Sequence, residues 1–119
     1  MEDQGLEIKV ESVAGCDVMA LDGELDCQTA PDLAEALRRA YDEGRRVVVD
    51  LSRLQFIDSS GLHVLMTGSG CDNGRRVVVC PPGNVARVLE IVRAEAALTL
   101  YEDVDEAIAG ARTKGDGRG

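Results

Sequence analysis

The sequence predicts an α/β fold in which a small mixed β-sheet packs with four helices, in the order ββαβαβαβα. Apolar residues first alternate with polar ones, as in half-buried strands, and then recur every three to four residues, as in helices. The segments Gly44-Arg-Arg-Val-Val-Val-Asp50 and Gly74-Arg-Arg-Val-Val-Val-Cys80 lie 30 residues apart, which fits two parallel strands joined by one crossover. With 119 residues the chain has room for one domain, which we place at 1–111, followed by a flexible C-terminal tail at 112–119.

The first two strands are predicted to form a hairpin. Leu6, Ile8 and Val10 alternate with charged residues, and a turn at Ala14-Gly15 leads into a second strand over 17–22. The first helix follows, and Thr29 is expected to cap it. The apolar face of this helix is the stripe Leu33, Ala36, Leu37, Ala40 and Tyr41.

The later elements alternate between strands and helices. Val47-Val-Val49 and Val77-Val-Val79 are apolar on both faces, which predicts strands that are covered on both sides. A second helix begins at Asp58-Ser-Ser-Gly61. The remaining expected elements are a third helix over 85–92, a short strand over 98–101 and a fourth helix that Asp103 and Glu106 cap.

Composition and charge exclude several classes of partner. The net charge is −9, and a chain this acidic repels the phosphates of nucleic acids and of anionic membranes. Aromatic residues make up 3% with no Trp, so no base-stacking platform is expected. No apolar run approaches the ~18 residues of a membrane span, and the first five residues do not resemble a signal peptide. We therefore expect a cytoplasmic protein that binds neither nucleic acid nor membrane.

The four cysteines are predicted to be plain buried or half-buried thiols. Cys16, Cys27, Cys71 and Cys80 form no C-x-x-C pair, and the lone His63 cannot complete a usual zinc set at these spacings. A disulfide framework is not expected without a secretory signal. We predict neither a bound metal nor a structural disulfide.

Candidate functional residues are concentrated in Gln55-Phe-Ile-Asp-Ser-Ser-Gly-Leu62. A strand is expected to end here and a loop to follow it, with two hydroxyls and a carboxylate at the start of a helix. Asp58 or Ser59 is well placed to cap that helix. A cap needs only one polar residue, whereas this segment has three before Gly61, which favours a function beyond capping. The segment also lies beyond the C-terminal end of an interior strand, where α/β sheets expose functional loops.

Catalysis is not expected from this segment. His63 follows Ser59 at helical spacing, but no G-x-S-x-G elbow surrounds the serine, and the imidazole would need a third group to orient it. Gly61 and Gly68-Ser-Gly70 do not match a phosphate-binding loop, and no lysine lies near them. We therefore assign no catalytic residue and no cofactor.

Two segments in combination resemble a known family. Gly23-Glu-Leu-Asp26 before Thr29-Ala-Pro31, and Phe56-Ile-Asp-Ser-Ser-Gly-Leu62 after Val47-Val-Val-Asp50-Leu51, are similar in order and spacing to the bacterial anti-sigma factor antagonists. The resemblance extends from Leu6 to Ile108. It implies the fold of the sulfate-transporter and anti-sigma-antagonist (STAS) domain, which agrees with the predicted element order.

The resemblance implies a partner-switching protein. The first serine of the family motif, here Ser59, is the residue that an anti-sigma factor with Ser/Thr kinase activity phosphorylates. The unphosphorylated protein binds this kinase and releases a sigma factor, and a Ser/Thr phosphatase resets the switch. The partner-binding residues implied by the resemblance are Asp26, Thr29, Asp58, Ser60, Gly61, Leu62 and His63.

Two other functions remain open at this point. One is a STAS module that does not switch, within a stress-sensing or lipid-transport complex. The other is an enzyme in its own right. The hydroxyl of Ser59 favours the switching protein, because a module without switching needs no hydroxyl there.

Overall fold

The elements of the fold follow the predicted order. The computed structural model describes residues 5–67, 76–92 and 98–115. The elements in these residues are β1 (Leu6–Val13), β2 (Cys16–Leu25), α1 (Ala30–Asp42), β3 (Arg46–Ile57), α2 (Ser59–Thr67), β4 (Arg76–Val79), α3 (Asn84–Val92), β5 (Leu98–Tyr101) and α4 (Val104–Gly115).

The five strands form one mixed sheet in the sequential order β1-β2-β3-β4-β5. β1 and β2 make the predicted antiparallel hairpin, and Ala14 and Gly15 close its turn with φ of 53° and 85°. The other neighbouring strands are parallel. Val48 pairs with Val77, so the valine triplets of the two similar segments lie in adjacent parallel strands.

Helices pack on both faces of the sheet. α1, α2 and α3 cover one face, where Val49 and Leu21 lie in the larger core cluster. α4 covers the other face and packs against Val48 and Val77. Alternate valines of β3 therefore point into two different cores, which confirms the prediction that this strand is covered on both sides.

β3 extends further than the sequence pattern predicts. It continues beyond the valine triplet to Ile57, with Leu51 and Leu54 buried. Two irregularities in the pairing of β2 with β3 change which residues face the core, so the simple alternation is lost along this part of the strand. The strand therefore ends within the segment 55–62, as predicted, and the connection to the next helix consists of Asp58 alone.

The predicted caps of α1 and α4 have different outcomes. Asp103 accepts a hydrogen bond from the backbone N–H of Glu106 at 2.8 Å, which confirms the cap of α4. Thr29 stands at the N-cap position of α1, but its side chain makes no capping hydrogen bond, so that prediction is wrong. Its hydroxyl instead donates to the carbonyl of Glu24 at 2.8 Å and is therefore turned away from the helix.

The C-terminal helix passes the predicted end of the domain. α4 continues to Gly115, beyond the boundary at residue 111, and residues 116–119 of the expected tail lie outside the described residues. Within the three described ranges no helix is long and apolar enough to cross a membrane.

The cysteines differ in their exposure. Cys16 and Cys80 are buried, as predicted, whereas Cys27 is exposed, which corrects the prediction for that residue. Cys27 is exposed because it lies in the connection between β2 and α1 and not within a packed element. Cys71 lies outside the described residues.

Candidate functional site

The candidate site lies at the edge of the sheet where β2 and β3 end. These strands are parallel and pair Leu25 with Ile57, so the residues after them, Asp26 and Asp58, emerge at the same edge. The backbone N–H of Asp58 donates to the carbonyl of Leu25 at 3.1 Å and ties the two ends together. The two segments that carry the family resemblance are therefore neighbours in space.

Asp58 starts α2 and fixes the position of Ser59. Its carboxylate accepts a hydrogen bond from the backbone N–H of Gly61 at 3.1 Å, and its carbonyl accepts one from Leu62 at 2.9 Å. Of the two predicted candidates for the cap, Asp58 is the residue that makes the bond. Ser59 is then the first residue of α2, and its side chain is exposed.

Gly61 allows the start of α2 to pack closely on the strand ends. A Cβ at this position would lie 2.6 Å from Cγ of Leu25 and 3.0 Å from Cγ1 of Ile57. These distances are shorter than ordinary van der Waals contacts, so any larger residue would require the neighbouring side chains to move. Leu62, the next residue, is partly buried and packs against the larger core. Gly61 and Leu62 therefore pack the first turn of α2 against the ends of β2 and β3 and the larger core.

A hydrogen-bonded turn between β2 and α1 forms the other side of the site. The carboxylate of Asp26 accepts bonds from the backbone N–H groups of Gln28 at 3.0 Å and Thr29 at 3.1 Å. The hydroxyl of Thr29 accepts a bond from the N–H of Asp26 at 2.9 Å while it donates to Glu24. Thr29 is only 8% exposed, so it stabilises this turn from within.

A shallow groove runs between this turn and α2. It has a volume of about 460 Å³. Ser59, Ser60 and His63 line one wall, so three of the predicted site residues meet here. The other lining residues are Cys27, Ala30, Pro31 and Val64.

Two carboxylates lie in the chain segments around Ser59. Asp58 precedes it directly, and Asp26 follows the neighbouring strand end. No Lys or Arg is among the described residues that line the groove, and His63 is the basic side chain there. Negative charge placed on Ser59 therefore has an imidazole as its nearest basic group within the described lining.

A second cavity of about 460 Å³ lies between α3 and the ends of β4 and β5. Cys80, which is 7% exposed, contributes to its wall. Burial, assisted by the negative charge of Asp50, raises the pKa of the Cys80 thiol to about 11. This thiol is therefore neutral near pH 7 and acts as a packing group.

Three exposed residues of this region were missed by the sequence analysis. Cys27 and Pro31 line the groove, and Phe56 is 49% exposed three residues before Ser59. Phe56 lies within the motif that was singled out, so its position in a functional segment could have identified it. Cys27 and Pro31 could be found only once the two strand ends were known to be adjacent.

The sheet order and the covering of both faces define an α/β domain of the STAS class, and comparisons with known proteins agree. The family model for the STAS domain matches residues 7–107. An anti-sigma F factor antagonist of Paenibacillus polymyxa is 32% identical over 112 residues, which are 87% of this chain and 92% of that protein. No group of three or more His, Cys, Asp or Glu side chains in the described residues is arranged to hold a metal ion.

Solved structures of anti-sigma factor antagonists have the same fold as this chain. An anti-sigma factor antagonist from Mycobacterium paratuberculosis superposes with a TM-score of 0.79 at 26% identity, covering 90% of this chain and 94% of that one. The antagonist SpoIIAA in its unphosphorylated form has a TM-score of 0.61 at 22% identity, covering 92% of this chain and 99% of its own, and so shares the fold. The chain belongs to the STAS domain family, among the anti-sigma factor antagonists.

Proposed function

We propose that this chain is a phosphorylation-controlled partner switch. In its unphosphorylated form it binds an anti-sigma factor that has Ser/Thr kinase activity, and a sigma factor is thereby released in the cytoplasm. Phosphorylation of Ser59 ends this binding, and a Ser/Thr phosphatase restores it. The observation that carries the proposal is the exposed hydroxyl of Ser59 at the start of α2, beside an open groove.

The relatives support the choice of partner. The relative from Paenibacillus polymyxa is named for its antagonism of anti-sigma F factor, which suggests an anti-sigma factor as the partner here. A phosphorylated form of SpoIIAA from Bacillus has also been solved, with a TM-score of 0.60 at 22% identity to this chain. A phosphorylated state is thus compatible with this fold.

The proposed partner-binding residues divide into three groups. Asp26, Ser60 and His63 lie at or beside the groove and can contact a partner directly. Asp58 caps the helix that presents Ser59. Three further residues are buried or partly buried and support this surface from the protein interior: Thr29, Gly61 and Leu62.

Ser59 is a better phosphate acceptor than Ser60. Both hydroxyls lie in the first turn of α2, but Ser59 is exposed and Ser60 is partly buried. An acceptor must extend into the active site of the kinase, so exposure favours Ser59. In this scheme the chain is the substrate of the kinase and not itself an enzyme.

The acceptor can be identified by phosphorylating matched variants. Anti-sigma factor kinases from the same genome are mixed with the wild type, Ser59→Ala and Ser60→Ala in the presence of Mg-ATP, and the modified peptide is mapped by mass spectrometry. We expect phosphate on Ser59 in the wild type and in Ser60→Ala, and none in Ser59→Ala. Phosphate on Ser60, or phosphate that persists in Ser59→Ala, would contradict the proposal.

The same proteins distinguish the proposed function from the two alternatives, an enzyme and a STAS module that does not switch. Turnover of ATP by the purified chain without a kinase would indicate an enzyme. Kinase binding that is equal for the wild type, the phosphorylated protein and Ser59→Asp would indicate a STAS module that does not switch.

A further inference from the structure

His63 lies one helical turn after Ser59 on the same wall of the groove. Residues four apart in a helix are neighbours on its surface, and side chains lean toward the N-terminus of the helix. The exposed side chain of His63 and that of Ser59 therefore lie on the same face of α2, one turn apart. A group attached to the Ser59 hydroxyl and the imidazole can meet without a change in the backbone.

The charges around the groove favour an interaction between His63 and a phosphate on Ser59. A phosphate on Ser59 carries a charge of about −1.5 to −2 near neutral pH. The ionisable groups in the segments that border the groove are carboxylates and one thiol: Asp58 before α2, Asp26 and Cys27 in the turn, and Asp32 in the first turn of α1. Among the described groove residues, His63 is the side chain that can become a cation.

We propose that His63 holds the phosphate of phosphorylated Ser59 through a charge-assisted hydrogen bond from its imidazolium. The proposal rests on the proposed function, and it assigns His63 as a positioning residue of the phosphorylated state. The pair keeps the phosphate along α2 and offsets the repulsion from Asp58 and Asp26. A phosphatase must break this bond before it can remove the phosphate.

The test installs phosphoserine at position 59 during protein synthesis, so that no kinase is needed. Three proteins are compared: the natural His63, His63→Gln and His63→Lys. Phosphorus NMR then follows the titration of the phosphate as the pH is changed. A nearby cation stabilises the dianion, so the titration midpoint should be about half a pH unit lower with His63 than with Gln, the effect of one exposed ion pair.

The lysine variant separates charge from packing. Lysine stays charged over the range in which the phosphate titrates, so His63→Lys reports the effect of a fixed positive charge at this position. We expect a low midpoint with His63 and Lys, and a higher one with Gln. Because His63 is exposed, all three proteins should unfold at similar temperatures when unphosphorylated, which serves as the control.

Equal midpoints with His63 and Gln would overturn the proposal, whether or not Lys lowers the midpoint. A low midpoint with His63 alone would also overturn it, because the effect would not follow charge. These results are independent of the proposed function, which fails if no kinase modifies Ser59 in the natural protein. A second measurement, the rate of dephosphorylation by a Ser/Thr phosphatase, should be higher for His63→Gln than for His63→Lys.

Discussion

Two cysteines in this chain have opposite surroundings. Cys27 is exposed in the turn after β2 and lines the groove beside Ser59. Cys80 is 7% exposed, and burial together with Asp50 raises its pKa to about 11. Since the thiolate is the reactive form, Cys80 gains reactivity only as the pH rises toward 11. At neutral pH Cys27 is the accessible thiol of the two.

The accessibility of Cys27 can show whether a partner covers the groove, because a bound partner would protect this thiol from alkylation. Among the three cysteines that the structure describes, iodoacetamide at neutral pH should label Cys27 in the free protein, while Cys16 and Cys80 react only after unfolding. When a kinase that binds the chain is added in excess, labelling of Cys27 should slow at least several-fold. The measurement is mass spectrometry of the labelled peptides over time.

A chain with Ser59→Asp provides the control for this protection, because it should no longer bind and its Cys27 should be labelled at the free rate. Unchanged labelling of Cys27 in the bound wild type would place the docking surface away from the groove.

At the level of elements, the turn from β2 to α1 depends on one buried hydroxyl. The Thr29 hydroxyl donates to the carbonyl of Glu24 at 2.8 Å and accepts from the N–H of Asp26 at 2.9 Å. Thr29→Val keeps the shape of the side chain but leaves both backbone groups without this partner. We expect it to lower the free energy of unfolding by about 2 kcal/mol, as measured by chemical denaturation.

Thr29→Ser is the matched variant, because it keeps the hydroxyl and loses only a methyl group. We expect it to retain most of the stability and the affinity for the kinase. If Thr29→Val were as stable as the wild type, the hydroxyl would not stabilise this turn. If Thr29→Ser lost binding while it stayed folded, the methyl group of Thr29 would contact the partner directly.

The element order could be predicted because it depends on local periodicity. The stripe of α1 and the valine triplets of β3 and β4 each show one clear period, and each element formed as expected. The end of β3 could not be predicted in the same way, because the irregular pairing with β2 removes the alternation before Ile57. Local sequence carries no sign of a pairing irregularity that depends on the neighbouring strand.

The candidate site was predictable only in part, for a related reason. The motif at Asp58 and Ser59 is contiguous, so its place at the start of a helix could be read from the chain. The Thr29 hydroxyl donates to the carbonyl of Glu24 and does not cap α1, and this outcome depends on where that carbonyl lies at the end of β2. The groove brings together Cys27 and His63, which are far apart in sequence.

For the molecule as a whole, phosphorylation changes charge far more than structure. The chain has a net charge of −9, and a phosphate adds about −1.5 to −2. Ser59 is exposed at a helix start, where the free N–H groups favour an anion by roughly 0.3–1 kcal/mol and Asp58 opposes it. These contributions oppose each other, and the close packing of Gly61 on Leu25 is not touched by the modification.

We therefore predict that phosphorylation of Ser59 abolishes binding and leaves the fold intact. The surface of a partner that packs against a bare hydroxyl must desolvate the phosphate, and one cation at His63 does not neutralise a charge of about −1.5 to −2. The part of the buried charge that stays uncompensated costs several kcal/mol. Because each 1.4 kcal/mol is about tenfold in affinity, binding should weaken by at least about a hundredfold. The unfolding temperature should change by less than about 3 °C.

Calorimetric titration of the kinase with both forms, beside thermal unfolding of each, measures the two effects separately. Ser59→Ala should bind like the unphosphorylated wild type, since it adds no charge, and Ser59→Asp should bind more weakly than Ser59→Ala. Equal affinity of the two forms would exclude control by interface charge. A phosphorylated form that melts many degrees lower would instead mean that the phosphate acts by disrupting α2, whose first turn is held by the bond from Gly61 to Asp58 at 3.1 Å.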